Sequence, residues 1–394
     1  MKKLRVLSLL IAVLFLFAAC SGSGGKSAPA DTSSSGDQPA ENVADVVAQV
    51  AANAKWGEMA VNSGVTDRIK KITRFDKNYT IRIGTPTAGK NEQNYVMELF
   101  EAYIEGSTAG TVQVELYPAS QLGTAQQMIQ NVLDLSLTGV VIPLEYFYTY
   151  APASGIVSVP YLFTGGSAQA KRIFDSDPTM NDYLKSKGLY PVVWLYEHSF
   201  TILADRKLDS MDDFKGMKTW VLPSTISKME LEAYGAAPTL MDPSDIALAM
   251  QNGTVDAAFT GVTFFNNMKL QDHAKYLNKL PLKPLPCVMM FATDWMESIP
   301  QELADLIVEG ANMIVEDYEK EYVKTSIENS VKAVLEKCEE VIPSEEFLAE
   351  LRKATQSVHD FYKNTDADCA KMYDKMVELI EKDNATYKGE NLPY

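Results

Sequence analysis

Residues 211–265 read MDDFKGMKTWVLPSTISKMELEAYGAAPTLMDPSDIALAMQNGTVDAAFTGVTFF, and the fold is decided by how their apolar positions change period. A short apolar run around Met217 to Val221 gives way to helical spacing in Ile226, Met229, Leu231 and Tyr234. Helical spacing returns in Ile246, Leu248, Ala249 and Met250, and Val255 to Phe259 closes the stretch as a second run. This predicts strand, helix, helix, strand. Asp242 suits an N-cap, Pro243 the first helical position, and Asn252-Gly253 a helix stop.

The same residues carry a resemblance. FKGMK, then LPS, then YGAAPTLMDPSDIALAMQNGTVDAAF resembles the signature block of the DctP-type solute-binding proteins of tripartite ATP-independent periplasmic (TRAP) transporters. In that family the block reads roughly KGLK-x-R-V-P, GA-x-P-T-P-M, ALQ-x-G and VDGQENP. VQVELYPASQLGTAQQMIQ, residues 112–130, is similar to its YP-x-x-QLG motif, and VPYLF, residues 159–163, to a third. The resemblance runs from about Tyr79 to the C-terminus with the blocks in order. It implies an α/β, two-lobed periplasmic-binding-protein-like fold with a central ligand cleft and a long helix crossing both lobes.

Working outward, residues 1–20 combine Lys2, Lys3 and Arg5 with an apolar run too short for a comfortable membrane span, followed by Ala18-Ala19-Cys20. This reads as an export signal, with Cys20 as the lipidated first residue of a bacterial lipoprotein; Phe17 stands where that motif prefers Leu, and an ordinary signal peptide or uncleaved anchor is the alternative. Residues 21–41, rich in Ser, Gly, Ala and Pro, bury too little to fold and read as a flexible linker. Residues 42–78 form an N-terminal extension, with Val43, Val46, Val47 and Val50 at helical spacing, expected as a helix packed on the domain surface. Residues 79–198 with 286–326 are assigned to the first lobe, and residues 199–285 with 327–394 to the second.

From Tyr79 strand and helix patterns alternate. Strands are expected at Ile81 and Ile83, Val112 to Leu116, Leu137 to Ile142, Tyr190 to Tyr196, Phe200 to Leu203 and Cys287 to Ala292. Helical faces are expected from Tyr95 to Tyr103 and from Met128 to Leu133. From Pro300 a helical period holds for about forty residues, through Leu303, Ile307, Ile314, Tyr318, Val323, Ile327 and Val334 to Cys338, enough for roughly 60 Å. Two further amphipathic helices follow, around residues 347–362 and 366–380.

The formal charge of the 394-residue chain is -16, and near -19 without its basic leader, which argues against nucleic acid and anionic lipid surfaces as partners. Once Cys20 is set aside, Cys287, Cys338 and Cys369 remain; Cys338 with Cys369 could bridge, and buried free thiols are preferred. His198, His273 and His359 show no metal-ligand spacing, and no nucleophile elbow, phosphate loop or dinucleotide fingerprint is present. An enzyme is not expected, nor any cofactor or metal. The expected partners are a small organic solute captured by hinge closure and, as the resemblance implies, the membrane subunits of a TRAP permease. An N-terminal lipid would hold the receptor on the cell membrane, at the periplasmic face or the outer surface. The alternative is a surface lipoprotein of the same fold acting in sensing, scavenging or adhesion without a permease.

The departures from the family pattern concern the ligand. The arginine that the resemblance places in the KGLK-x-R strand, where a guanidinium would grip a carboxylate, is Trp220 here. A second arginine aligns with Phe200, Thr260 stands where an amide side chain would be, and Pro143 takes a polar contact position. Phe259, Phe264, Tyr146 and Glu197 are further candidate ligand-binding residues, and Glu145 or Glu197 could pair with an amine. Trp220 and Phe200 also fit plain core packing. The expectation is a solute more apolar, aromatic or cationic than a simple dicarboxylate, because an unpaired buried carboxylate is costly. A carboxylate held instead by helix N-terminal amides or by Arg206 stays open.

Overall fold

In the computed structural model, residues 42–195 and 199–389 are described, and the chain from Asn42 onward forms one compact unit. The expectations for the export signal, Cys20, the linker and Glu197 lie outside the described residues.

Two sheets organise this unit. The first comprises β1 (Tyr79–Gly84), β2 (Val112–Tyr117), β3 (Gly139–Pro143), β4 (Leu189–Leu195) and, far along the chain, β10 (Cys287–Ala292), in the order β2-β1-β3-β10-β4. β1 runs parallel to β2 and β3, whereas β10 enters antiparallel between β3 and β4. Every residue of β3 and β10 is buried, as expected of strands covered by helices on both faces. Gly139 fits this packing, since a methyl there would sit 2.6 Å from the Met290 carbonyl oxygen.

The second sheet comprises β5 (Thr201–Ala204), β6 (Lys218–Val221), β7 (Ala237–Leu240), β8 (Ala257–Thr260), β9 (Tyr276–Asn278) and β11 (Glu339–Val341), in the order β11-β9-β5-β8-β6-β7. The stretch that opened the sequence reading builds β6, the helix Thr225–Tyr234, β7, the helix Ile246–Gln251 and β8. Its helices and outer strands match the sequence pattern. β7 does not, because a half-exposed edge strand containing Pro238 has no buried alternation to read. Asp242 accepts the Ser244 amide at 3.0 Å, and Gly235 ends the preceding helix at φ 90°, a left-handed conformation that favours glycine.

Three passages join the lobes built on these sheets. The step from β4 to β5 and the return from β9 to β10 pair with each other, through the Ser199 and Pro284 bridge and the Phe200 amide donating to the Lys283 carbonyl at 2.9 Å. The third is a single rod made of the helix Gln301–Tyr318, a π turn Glu319–Val323 and the helix Lys324–Leu335. At 1.5 Å per residue it spans about 50 Å, somewhat short of the sequence expectation. Its first half packs on β4 and on the helix Glu92–Ser107 of the first lobe, its second half on the helix Val262–Asn267 of the second. The π turn falls between the two halves, and such single turns within α-helices are frequent at functional sites.

The extension forms the helices Val43–Asn53 and Glu58–Ser63, both packed on the helix Glu92–Ser107. Trp56 Nε1 donates to Glu105 Oε2 at 2.7 Å, and Gly106 leaves room for Ile69. Beyond β11 the expected helix near residue 347 is two, Glu345–Ala354 and Gln356–Lys363, followed by Ala367–Thr386. Cys287, Cys338 and Cys369 are buried free thiols. Burial pushes the Cys338 thiol up to about 11 and the Cys369 thiol up to about 12, so both stay protonated. No helix among the described residues is long and apolar enough to cross a membrane.

Candidate solute cleft

A narrow cleft with a cavity volume of about 40 Å³ lies where the two sheets present the carboxyl ends of β1, β3, β6 and β8 to each other. In α/β folds, ligands favour this place because strands end there and loops with free polar groups begin. The first lobe contributes Pro86, Thr87, Asn91, Glu92 and Gln93 after β1, Pro143 at the end of β3 and Tyr146 just beyond it. The second contributes Leu222 after β6, Pro243, and Thr260, Thr263, Phe264 and Asn267 from β8 onward, with Leu285 on the return crossing.

The structure thus brings together four of the residues singled out from sequence: Pro143, Tyr146, Thr260 and Phe264. Trp220 is fully buried and stands behind the cleft rather than on its lining, stacked on Phe264 with ring centroids 5.3 Å apart and planes 13° from parallel. Its indole Nε1 donates to the Met241 carbonyl at 3.1 Å, which fixes the ring plane. Phe200 and Phe259 pack edge to face at 4.9 Å, and both rings lie against the Lys283 ammonium, at 4.4 and 4.9 Å. Phe200 and Lys283 also border a separate hollow of about 270 Å³, lined further by Phe163, Leu280 and Leu348.

Glu145 does not face the cleft as an amine partner. It is buried against Ser227, whose hydroxyl donates to it, and against Lys283. The carboxyl on the cleft lining is Glu92, in the first turn of the helix Glu92–Ser107. It accepts the Ser326 hydroxyl at 3.1 Å and is hydrogen-bonded by Thr263, so it bridges the first lobe to both the second lobe and the long rod. Burial raises its pKa, and those two hydroxyls only partly offset the effect. Burial likewise keeps the Tyr146 phenol protonated, with the Glu145 charge acting in the same sense.

Sequence reasoning missed Glu92, Asn91 and Gln93. The NEQN run after β1 reads as an ordinary helix start, and Asn91 is indeed the cap, accepting the Asn94 amide at 3.0 Å. Gln93 is held through its side-chain oxygen by Thr85 at 2.6 Å and Thr87 at 2.9 Å. The available signal was the position itself, just beyond a buried parallel strand.

Among the described residues lining the cleft, no Lys, Arg or His is present and Glu92 is the one carboxyl. No group of three or more His, Cys, Asp or Glu side chains among the described residues is placed to hold a metal ion. The walls can desolvate an organic molecule, orient it by hydroxyl and amide groups, and meet a positive group at Glu92. They present no nucleophile paired with a base.

Comparison with known proteins agrees with this geometry. The family model of bacterial extracellular solute-binding proteins, family 7 (DctP), matches residues 84–365. An uncharacterized protein of Haemophilus influenzae is 25% identical over 300 residues, covering 73% of this chain and 86% of its own length. The 2,3-diketo-L-gulonate-binding periplasmic protein YiaO of Escherichia coli is 22% identical, covering 61% of this chain and 76% of its own. Among solved structures, a TRAP periplasmic solute-binding protein from a Sulfitobacter species with bound β-D-galacturonate superposes with a TM-score of 0.71 at 17% identity, covering 77% of this chain and 99% of that one. Its counterpart from Shewanella oneidensis with bound succinate gives 0.71 at 16% identity, with 77% and 99% covered. The named relative and the two solved structures are solute-binding proteins rather than enzymes, and with the family model matched over most of its length, this chain belongs to the DctP-type solute-binding proteins of TRAP transporters.

Proposed function

We propose that this protein is the extracytoplasmic receptor of a TRAP-type importer whose cleft takes a small organic solute with an apolar or aromatic face and a neutral or cationic polar group. It closes on the solute about the paired crossings and the π turn, and hands it to the membrane permease. The receptor is anchored through Cys20 at the cell surface or the periplasmic face of the membrane.

The observation that carries the solute class is the charge of the cleft. Its described lining holds Glu92 and no Lys, Arg or His, and the position aligned with the family's carboxylate-binding arginine is Trp220. A carboxylate solute would enter a site with a carboxyl and no cation, leaving its charge unpaired. An amine would meet Glu92, and a flat apolar body would meet Phe264 on its Trp220 backing. Relatives named for 2,3-diketo-L-gulonate, sialic acid and C4-dicarboxylates bind acids, and a TeaA relative of Halomonas elongata is named for ectoine. The family therefore includes more than one solute chemistry.

A thermal-shift screen of protein refolded to remove carried-over solute tests this reading. A solute at a hundred times its Kd adds about 2.7 kcal/mol of stability, readily seen as a raised melting temperature. Shifts from amines or neutral aromatic metabolites support the proposal. Shifts from succinate and uronates alone contradict it.

A further inference from the structure

Glu145, Ser227, Glu230 and Lys283 are all buried, and they come from three different parts of the fold. Glu145 lies just past β3 in the first lobe. Ser227 and Glu230 sit nearly one turn apart on the helix Thr225–Tyr234 of the second, and Lys283 is on the return crossing between β9 and β10. The Lys283 ammonium donates to the Ser227 hydroxyl, which donates in turn to Glu145 Oε1. The ammonium stands 3.5 Å from Glu145 Oε1 and 3.4 Å from Glu230 Oε2, with the rings of Phe200 and Phe259 on its other sides.

Charges this dry are tolerated only when paired, so removing Lys283 leaves two carboxyls uncompensated, whereas removing either carboxyl leaves the ammonium the other. The network is also asymmetric about the line between the lobes. Lys283 stands on a crossing held from both sides: its own carbonyl accepts the Phe200 amide at the entry to β5, while the Leu282 carbonyl accepts the Tyr161 amide at 2.8 Å and the Leu285 amide donates to Ser167 Oγ at 2.8 Å; Ser227 and Glu230 belong to the second lobe. If Glu145 moves with the first lobe and the helix Thr225–Tyr234 with the second, opening breaks the Ser227 bond to Glu145 and leaves Glu230 to pair the ammonium. Each arrangement pairs the lysine, which is what a two-state closure element requires. Glu230 has its pKa raised to about 7 by burial, against the pull of Lys283, consistent with one ammonium serving two carboxyls.

We propose that Glu145, Ser227 and Lys283 form an internal latch that favours the closed arrangement of the two lobes, with Glu145 supplying the anion that crosses the cleft. Closure then needs no carboxylate from the solute. This rests on the receptor reading and deepens it by giving the cation a partner within the chain. It is tested without solute, so an error in the solute class leaves it standing.

The test is the distance between lobes in protein refolded to remove carried-over solute, in plain buffer, read by pulsed electron paramagnetic resonance. Spin labels are carried by Gln130→Cys, exposed in the first lobe, and Asn252→Cys, exposed in the second. Wild-type protein is expected to show a dominant short distance. Glu145→Gln and Lys283→Met are each expected to move the closed-to-open ratio toward open by about tenfold or more. Should circular dichroism show either variant unfolded, Ser227→Ala decides, since it removes only the bridging hydroxyl; a smaller shift in the same direction is expected. Folded Glu145→Gln and Ser227→Ala proteins with the wild-type distance distribution would overturn the proposal. So would a wild-type protein that is predominantly open.

Discussion

Trp220 and Phe264 lie nearly parallel with centroids 5.3 Å apart, so the aromatic wall of the cleft is one ring thick and backed by a second that no solvent reaches. A ring so supported keeps one orientation, and a planar solute meets a fixed surface. Trp220→Ala removes the backing and leaves a large cavity, with an expected loss of about 3–5 kcal/mol in urea unfolding. Trp220→Phe keeps an aromatic backing and loses the hydrogen bond to Met241, at about 1 kcal/mol. Solute affinity should fall with Ala and largely survive with Phe; equal losses in both would show that the ring acts only in folding.

Glu92 is expected to set the charge preference. A carboxyl whose pKa burial has raised gives up its proton less readily than an exposed one, and it must be ionised to pair with an amine. Affinity for a cationic solute should therefore weaken as pH falls through the raised pKa, accompanied by proton release on binding at the lower pH values. Glu92→Gln should abolish that slope and lower the affinity of amines more than that of neutral aromatics. Calorimetric titration in buffers of different ionisation enthalpy measures both effects.

Glu230 makes the fold itself sensitive to pH. Its folded pKa, about 7, lies above the ordinary carboxyl value of 4.5, so the native state holds a proton that the unfolded chain releases. The associated stability is fully present below the ordinary value and is lost as pH rises through about 7. Glu101, raised to about 8 by burial and by its neighbours Glu105 and Glu98, adds a smaller slope in the same direction, reduced by its partial exposure. Chemical unfolding at a series of pH values should show stability declining over this window, and Glu230→Gln should flatten most of it while still accepting from the Tyr234 hydroxyl.

The extension is expected to stiffen the first lobe without touching the cleft. It precedes the residues matched by the family model, yet Trp56 bonds Glu105 and Arg68 pairs with Asp317 on the long rod. Trp56→Ala should cost about 2 kcal/mol, the cost of truncating a partly buried aromatic and losing its hydrogen bond. Hydrogen exchange should quicken along the helix Glu92–Ser107, with solute affinity nearly unchanged.

The parts of this fold that are buried on both faces were legible in the sequence, since β3 and β10 appear as unbroken apolar runs and the long rod as a sustained helical period. What escaped is what packing alone does not mark. β7 is a half-exposed edge, β9 and β11 are three residues each, and Thr355 splits one expected helix without a glycine or proline to announce it. At the site, Thr260 and Pro143 could be named because they align with contact positions of the family, and Tyr146 and Phe264 because they stand near those positions in sequence. Glu92 is disguised as a helix start. Lys283 stands in LPLKPLPCV, a proline-rich run that reads as a loop, and a lone lysine flanked by apolar residues is the cue that its ammonium needs a buried partner. Pairing Glu145 and Lys283 across 138 positions of sequence takes the three-dimensional fold.

A TRAP receptor for a solute without net negative charge should reveal itself in the molecule that the natively purified protein carries. Native mass spectrometry of the complex, followed by release and chromatographic identification of the small molecule, is expected to show an amine or a neutral compound with an apolar or aromatic face. Release of a dicarboxylate, a uronate or another free organic acid would show instead that the cleft holds an unpaired carboxylate and that the solute class is wrong.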